Sequence, residues 1–204
     1  MRTLDQRTLG ITILFLLSML VNVKRVASGT IFEKPKGSYL VQIVNIFNLF
    51  FVLVVNPLAA ILLITRCLAT IDPTHMITAE PWILMVTEIV GLVMYVTGFL
   101  LMAWALITLG RNYQLGGSAP RSEDKMVMDG PYRLVRHPMY TAVLSISLGL
   151  AWLTQSWAFF CVFFIYLVLI VLLIPTEENE LWKAYGEQYG AYQQKTTKLI
   201  PFVY

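Results

Sequence analysis

Charge is what this 204-residue sequence has least of. Asp, Glu, Lys and Arg together make up 13% of it, about half the roughly 25% of a soluble domain. Apolar residues take up the difference, at 57%. A chain so poor in charge cannot cover a water-facing surface. That excludes an ordinary soluble globule and leaves a multi-span membrane protein, one integral-membrane domain over 1–204. The formal net charge is only +3, and the basic residues gather on no single soluble face, so no nucleic-acid partner is expected. They flank the apolar segments instead, as they do in cytoplasmic loops.

Histidine and cysteine are scarce too, two of each. Cys67 and Cys161 fall in or at the ends of apolar segments and read as small buried hydrophobes, not a disulfide or nucleophiles. His75 and His137 are too few and too far apart for a metal cluster, so no metal is expected. His75, beside Asp72 and Pro73, reads as a solvated loop residue. The first apolar segment lacks a small-residue cleavage site and reads as retained. There is no internal repeat and no low-complexity tract.

What is present is a series of apolar runs: Thr8–Val23, Tyr39–Thr65, Trp82–Leu109, Met139–Gln155 and Trp157–Ile174. With about 20 residues needed per crossing, the first and the last two are short but adequate. The expected fold is an all-α membrane protein of about five transmembrane helices. The last two form a short helical hairpin turning at Gln155-Ser156, and a C-terminal amphipathic helix follows. Pro57 predicts a kink in the second span and Pro175 a break or kink after the fifth. Polar connections run from Val26 to Ser38, holding Lys34, Pro35, Lys36 and Gly37, and from Gly110 to Pro138, holding Gly116-Gly117, Arg121 and Glu123. Five spans put these connections and the tail on one side, which the Lys and Arg residues make cytoplasmic.

Within the spans, Asn45 and Asn48 share a helix face. They read either as interhelical hydrogen-bonding groups or as the lining of a ligand cavity. Glu88 lies inside the third span. A carboxylate there is costly unless paired or protonated, and the reading favoured here is that it sits high enough to reach water.

The polar residues concentrate in Gly130-Pro-Tyr-Arg-Leu-Val-Arg-His-Pro-Met-Tyr140, with Glu177-Glu178-Asn179-Glu180 one hairpin later. Taken singly, Arg133 and Arg136 are membrane-side anchors, Tyr132 and Tyr140 interfacial aromatics, His137-Pro138 a helix start, and Glu177-Glu178 a solvated first turn. Taken in this order, with Tyr185-Gly-Glu-Gln-Tyr189, Tyr192 and Thr197-Lys-Leu-Ile-Pro201, they resemble the isoprenylcysteine carboxyl methyltransferase family. The wider group of integral-membrane methyltransferases, which includes phospholipid N-methyltransferases, shows the same pattern. The resemblance covers Gly110 to Pro201. The first half, 1–109, matches only as spans.

The resemblance implies S-adenosylmethionine as cofactor, with its pocket in the 110–204 half. Carried over by position, the contacts would be Lys125, Met126, Val127, Tyr132, His137, Pro138, Met139, Tyr140 and Glu177. Arg136, His137 and Glu178 would serve the chemistry, and Asn45, Asn48 and Tyr189 the acceptor. The residue types suit the donor. Tyrosine faces attract a sulfonium, a carboxylate suits an ammonium or ribose hydroxyls, and Arg136 or Arg133 suits a carboxylate. Members acting on prenylcysteine carry an arginine, thought to hold the substrate carboxylate, where this sequence has Leu173. Arg111 or Lys125 could substitute for it, or the acceptor could be another lipid, a thiol or an amine. A lipid- or quinone-binding subunit without catalysis, and a small transporter using Glu88, are the competing readings. Oligomeric state stays open.

Overall fold

A computed structural model describes residues 4–28, 38–76, 80–113, 120 and 124–200. Lys34, Pro35, Lys36, Gly37, Gly116, Gly117, Arg121, Glu123 and Pro201 lie outside the described residues. Among those described, the chain is helical: α1 (Gln6–Ser28), α2 (Tyr39–Phe50), α3 (Asn56–Ile64), the single turn α4 (Leu68–Ile71), α5 (Pro81–Leu109), α6 (Pro138–Thr154), α7 (Trp157–Tyr185) and α8 (Glu187–Gln193). Starts follow local chemistry. The Ser38 hydroxyl accepts from the Val41 amide at 3.4 Å, and α5 and α6 each open on a proline, whose missing N–H costs nothing there.

Four rods are long and apolar enough to cross a bilayer: Gln6–Ser28, Tyr39–Ile64, Pro81–Asn112 and Trp157–Tyr185. The sequence led us to expect five. α6, at 17 residues, rises only about 25 Å at roughly 1.5 Å per residue, short of a hydrocarbon core of about 30 Å.

The Tyr39–Ile64 rod joins α2 to α3 through a π-helical turn, Phe51–Val55, immediately before Pro57. Proline cannot donate to the ladder, so a wider turn takes up the irregularity where the sequence predicts a kink. The Asn56 amide caps it, donating to the Phe51 carbonyl at 2.9 Å while its oxygen accepts from the Tyr95 hydroxyl of α5 at 2.8 Å. At the other proline the expected break is absent: α7 continues through Pro175 and ends only at Gly186. One lost hydrogen bond is outweighed there by Leu173 and Ile174, both fully buried in the core.

α5 and α6 form the most extensive helix pair, and glycine allows it. A Cβ on Gly149 would sit 2.6 Å from the Tyr95 nitrogen and 2.8 Å from the Gly91 carbonyl oxygen. Backbone, not a movable side chain, is what it would meet, so the two helices touch through small residues. Gly149→Ala is expected to cost about 1–3 kcal/mol, as overpacking of a close interface does. Thermal unfolding in detergent checks this.

Glu88 corrects another expectation. It is fully buried and does not reach water; its Oε2 accepts from the Leu4 amide at 3.0 Å, across 84 residues of sequence. A partner from the N-terminal segment takes the place of solvent. His75 is half-buried, not a free loop residue. Its strand-like bridge to Ser156, together with Met76 N–H to the Gln155 carbonyl at 2.7 Å, fastens the 72–76 segment to the α6–α7 turn.

Candidate functional site

The Gly130–Tyr140 stretch folds as a 3-10 turn, Gly130–Arg133, followed by the start of α6. Gly130 has φ +56°, and a Cβ there would press on Thr108 of α5 at 2.7 Å, so glycine is required twice over. The next residues are held by backbone pairing with the C-terminal segment. Arg136 N–H donates to the Thr197 carbonyl at 2.8 Å, His137 N–H to Lys198 at 3.0 Å, and the Thr141 hydroxyl to Leu199 at 2.7 Å. Residues 196–199 thus form a strap across the mouth of α6.

This anchoring aims three side chains at the acids of α7. The Arg136 Nε donates to Glu178 Oε1 at 2.8 Å, and its Nη1 donates to the carbonyl oxygens of Gln193 and Thr196. Both ends of this ion pair are nearly buried, with side chains 8% and 12% exposed. The His137 ring lies between the two carboxylates. Its Nε2 is 3.4 Å from Glu178 Oε1 and its Nδ1 is 3.8 Å from Glu177 Oε2. It stacks on Tyr140, whose hydroxyl donates to Glu177 Oε2 at 2.6 Å. Lys198 Nζ approaches Glu178 Oε2 at 3.9 Å. The basic-aromatic turn and the acids, 37 to 42 residues apart in sequence, therefore meet at one end of the helical bundle.

Two further tyrosines close this end. The Tyr192 hydroxyl of α8 donates to the Tyr132 carbonyl at 2.6 Å, and Tyr185 of α7 to the Asp124 carbonyl at 3.4 Å. Burial pushes the Tyr192 hydroxyl up to about 12, with Arg136 limiting the rise. Burial, then the charge of Glu177, raises Tyr132; burial, then Glu178, raises Tyr189. All three stay protonated at neutral pH. The Tyr189 hydroxyl, 1% exposed as a residue, makes no well-formed hydrogen bond among the described residues, though Gln193 lies beside it.

A cavity of about 440 Å³ opens beside these groups. Lys125, Met126, Val127, Tyr132, Arg136, His137, Pro138, Met139, Tyr140, Glu177 and Tyr189 all line its polar end, and Asn45 and Asn48 its apolar arm. Glu178 does not line it; it stands behind His137, tied to Arg136. Arg133 is exposed and away from it. Arg136 was expected to be able to receive a ligand carboxylate, but its Nε and Nη1 are already engaged by the protein. Asn48 bonds across helices, accepting from the Tyr166 hydroxyl at 2.9 Å. Asn45 donates to Val41 of its own helix at 2.8 Å. The cavity also includes Lys24 and Tyr113, which the sequence did not single out. Lys24 reads as a span-end anchor, and nothing in its neighbours marks it otherwise.

Fold and site together define an integral-membrane protein, helical over its described residues, with a cavity that joins an acidic end to an apolar arm. The sequence pattern of the phospholipid methyltransferase family matches residues 86–188, and the chain belongs to that family. It is 32% identical over 125 residues to protein-S-isoprenylcysteine O-methyltransferase B of Arabidopsis thaliana, covering 55% of this chain and 58% of that one. It is 33% identical over 98 residues to the cobalt-zinc-cadmium resistance protein CzcN of Cupriavidus metallidurans, covering 48% of this chain and 45% of that one. The match to the plant relative thus spans under two thirds of its length. The solved structure of the eukaryotic intramembrane Ras methyltransferase ICMT, an isoprenylcysteine carboxyl methyltransferase, shares the fold with a TM-score of 0.54. Identity to it is 18%, over 94% of this chain and 74% of that one.

Proposed function

We propose that the chain is an integral-membrane methyltransferase that uses S-adenosylmethionine. Its acceptor is a lipidic or small membrane-accessible molecule, and its chemistry is of the isoprenylcysteine carboxyl methyltransferase kind. The observation that carries this is one continuous cavity with Tyr140 and Glu177 at its polar end and Asn45, Asn48 and Tyr166 along its apolar arm. Two substrates from different phases need such a space, and its volume lies within the roughly 300–1,000 Å³ of ligand pockets.

S-adenosylmethionine supplies, when bound, an electrophilic methyl group on a sulfonium, and it also carries an ammonium and an adenosine. The residues present fit it. Glu177 is partly exposed to the cavity and offers negative charge to a cation. Tyr132 and Tyr140 offer ring faces, worth about 0.5–2 kcal/mol against a cation. Lys125, Met126 and Val127 close the water side, and Pro138 and Met139 the membrane side. His137 is oriented by Glu178, which Arg136 fixes in turn, so these two act through the histidine ring. Asn45, Asn48 and Tyr189 face the acceptor. A carboxylate acceptor needs only alignment and exclusion of water, whereas an amine must first shed a proton.

In this reading α6 is the fifth crossing, completed by its flanking residues and paired with α7 as a hairpin. α8 lies on the membrane surface with Tyr189 and Tyr192 inward. Residues 1–109 supply the acceptor arm and 110–204 the cofactor end, all within one domain. Lys24, Arg25, Arg111, Lys125, Arg133 and Arg136 fall at the same end of the bundle as the site, which supports its facing the cytoplasm, in an inner or endoplasmic-reticulum type membrane.

One observation favours a second acceptor class. Leu173 is fully buried, and no Lys or Arg lies between Met139 and Trp182. The same fold acting on an aminophospholipid or a thiol fits that wall as well. Radiolabelled methyl transfer to a prenylcysteine, an aminophospholipid and a small thiol decides between them. The expected result is label on one class. Label on none, with no S-adenosylhomocysteine binding, contradicts the methyltransferase reading and leaves a lipid-binding protein.

A further inference from the structure

Asparagines line the apolar arm of the cavity, and they do not all spend their amides alike. Asn56 gives its N–H to the Phe51 carbonyl at 2.9 Å and its oxygen to the Tyr95 hydroxyl at 2.8 Å. Asn48 spends only its oxygen, which accepts from the Tyr166 hydroxyl at 2.9 Å; its Nδ2 forms no hydrogen bond among the described residues. Tyr166 decides which end of the amide is which. It is fully buried, its ring edge-on to Phe47 and Phe51 with centroids 4.7 and 5.0 Å away. Its hydroxyl has no other acceptor among the described residues. A buried hydroxyl needs one, so the Asn48 oxygen faces it and the N–H groups turn to the cavity that Asn48 lines.

That part of the cavity is otherwise apolar. Val52, Phe99, Ile146 and Ile170 line it, and Leu49 and Leu53 both line it and are exposed on the bundle surface, so it opens to lipid. Tyr166 precedes Glu177 by about three turns of α7, a rise of roughly 16 Å. That is half of a hydrocarbon core of about 30 Å, where an N–H without a partner is most costly. A pure hydrocarbon tail lying in the arm leaves the donor unpaired. An oxygen in the tail pairs it.

We propose that Asn48, fixed by Tyr166, is a specificity-determining residue. It selects acceptors whose apolar chain carries a hydrogen-bond-accepting oxygen, as a ketone, ether or ester, at mid-bilayer depth. The assignment rests on the methyltransferase reading for the word acceptor, but it is tested without the methyl donor.

The probes are octadecanol and its keto derivatives with the ketone at the fourth, eighth, twelfth or sixteenth carbon. Their binding is measured on the whole detergent-solubilised chain by displacement of a fluorescent amphiphile. The wild type is expected to bind an inner ketone about 3- to 10-fold more tightly than octadecanol, the value of a neutral hydrogen bond. The fourth-carbon ketone should show no such gain. Asn48→Leu, similar in shape but without a donor, should erase the preference while still binding octadecanol. Should that variant not fold, Tyr166→Phe keeps the amide but releases its oxygen, and should blunt the dependence on ketone position. Equal binding of every chain by the wild type, or a preference that survives both substitutions, overturns the assignment. If the wild type binds no S-adenosylhomocysteine, it is the methyltransferase reading that fails, whatever the ketones do.

Discussion

Arg136→Ala should destabilise the protein by about 3–5 kcal/mol, the cost of removing one partner of a buried ion pair. Thermal unfolding in detergent would read this as a large drop in Tm, and methyl transfer should fall to background. One guanidinium joins three pieces of chain: the motif turn, Glu178 of α7 and the carbonyl oxygens of Gln193 and Thr196. Truncation leaves the Glu178 carboxylate with its burial and, among the described residues, with His137 at 3.4 Å and Lys198 at 3.9 Å. Lysine at position 136 keeps the charge but not the planar fork, so Arg136→Lys should recover only part of the stability. A variant that unfolds like the wild type would show that the strap does not depend on this residue.

Glu177→Ala should leave the fold nearly unchanged and weaken S-adenosylhomocysteine about 10- to 100-fold, which matches the loss of a charge-assisted hydrogen bond. The contrast with Arg136 follows from position. Glu177 borders the cavity with a side chain 21% exposed; it accepts from the Tyr140 hydroxyl at 2.6 Å and lies 3.8 Å from His137 Nδ1. Removing it takes negative charge from the space where a cation would lie. Calorimetry with the two variants in parallel separates these roles: Arg136→Ala loses stability first, Glu177→Ala loses ligand first.

Much of this was legible in the sequence where the signal is carried by residue type. The apolar runs mark the rods because burying charge in a bilayer is prohibitive. Gly130–Tyr140 and Glu177-Glu178 announce a site because so polar a set is rare in so apolar a chain. The failures have a common origin in partners that side-chain patterns do not encode. Arg136 is held by backbone carbonyls, and any residue has one. Glu88 is held by the amide of Leu4, which no spacing connects to it. Pro175 was read by its local rule, but Leu173 and Ile174 pack well enough to keep α7 continuous. Lys24 resembled every other basic residue at a span end until the fold turned it inward and left Arg25 outside.

The most direct measurement is a structure of the chain crystallised from lipid with S-adenosylhomocysteine. The ligand is expected in the cavity, with its amino-acid end at Glu177 and Tyr140 and contacts to both His137 and the 125–127 segment. Ligand bound elsewhere, or touching only one of the two elements that His137 and Glu177 bring together, would contradict the site.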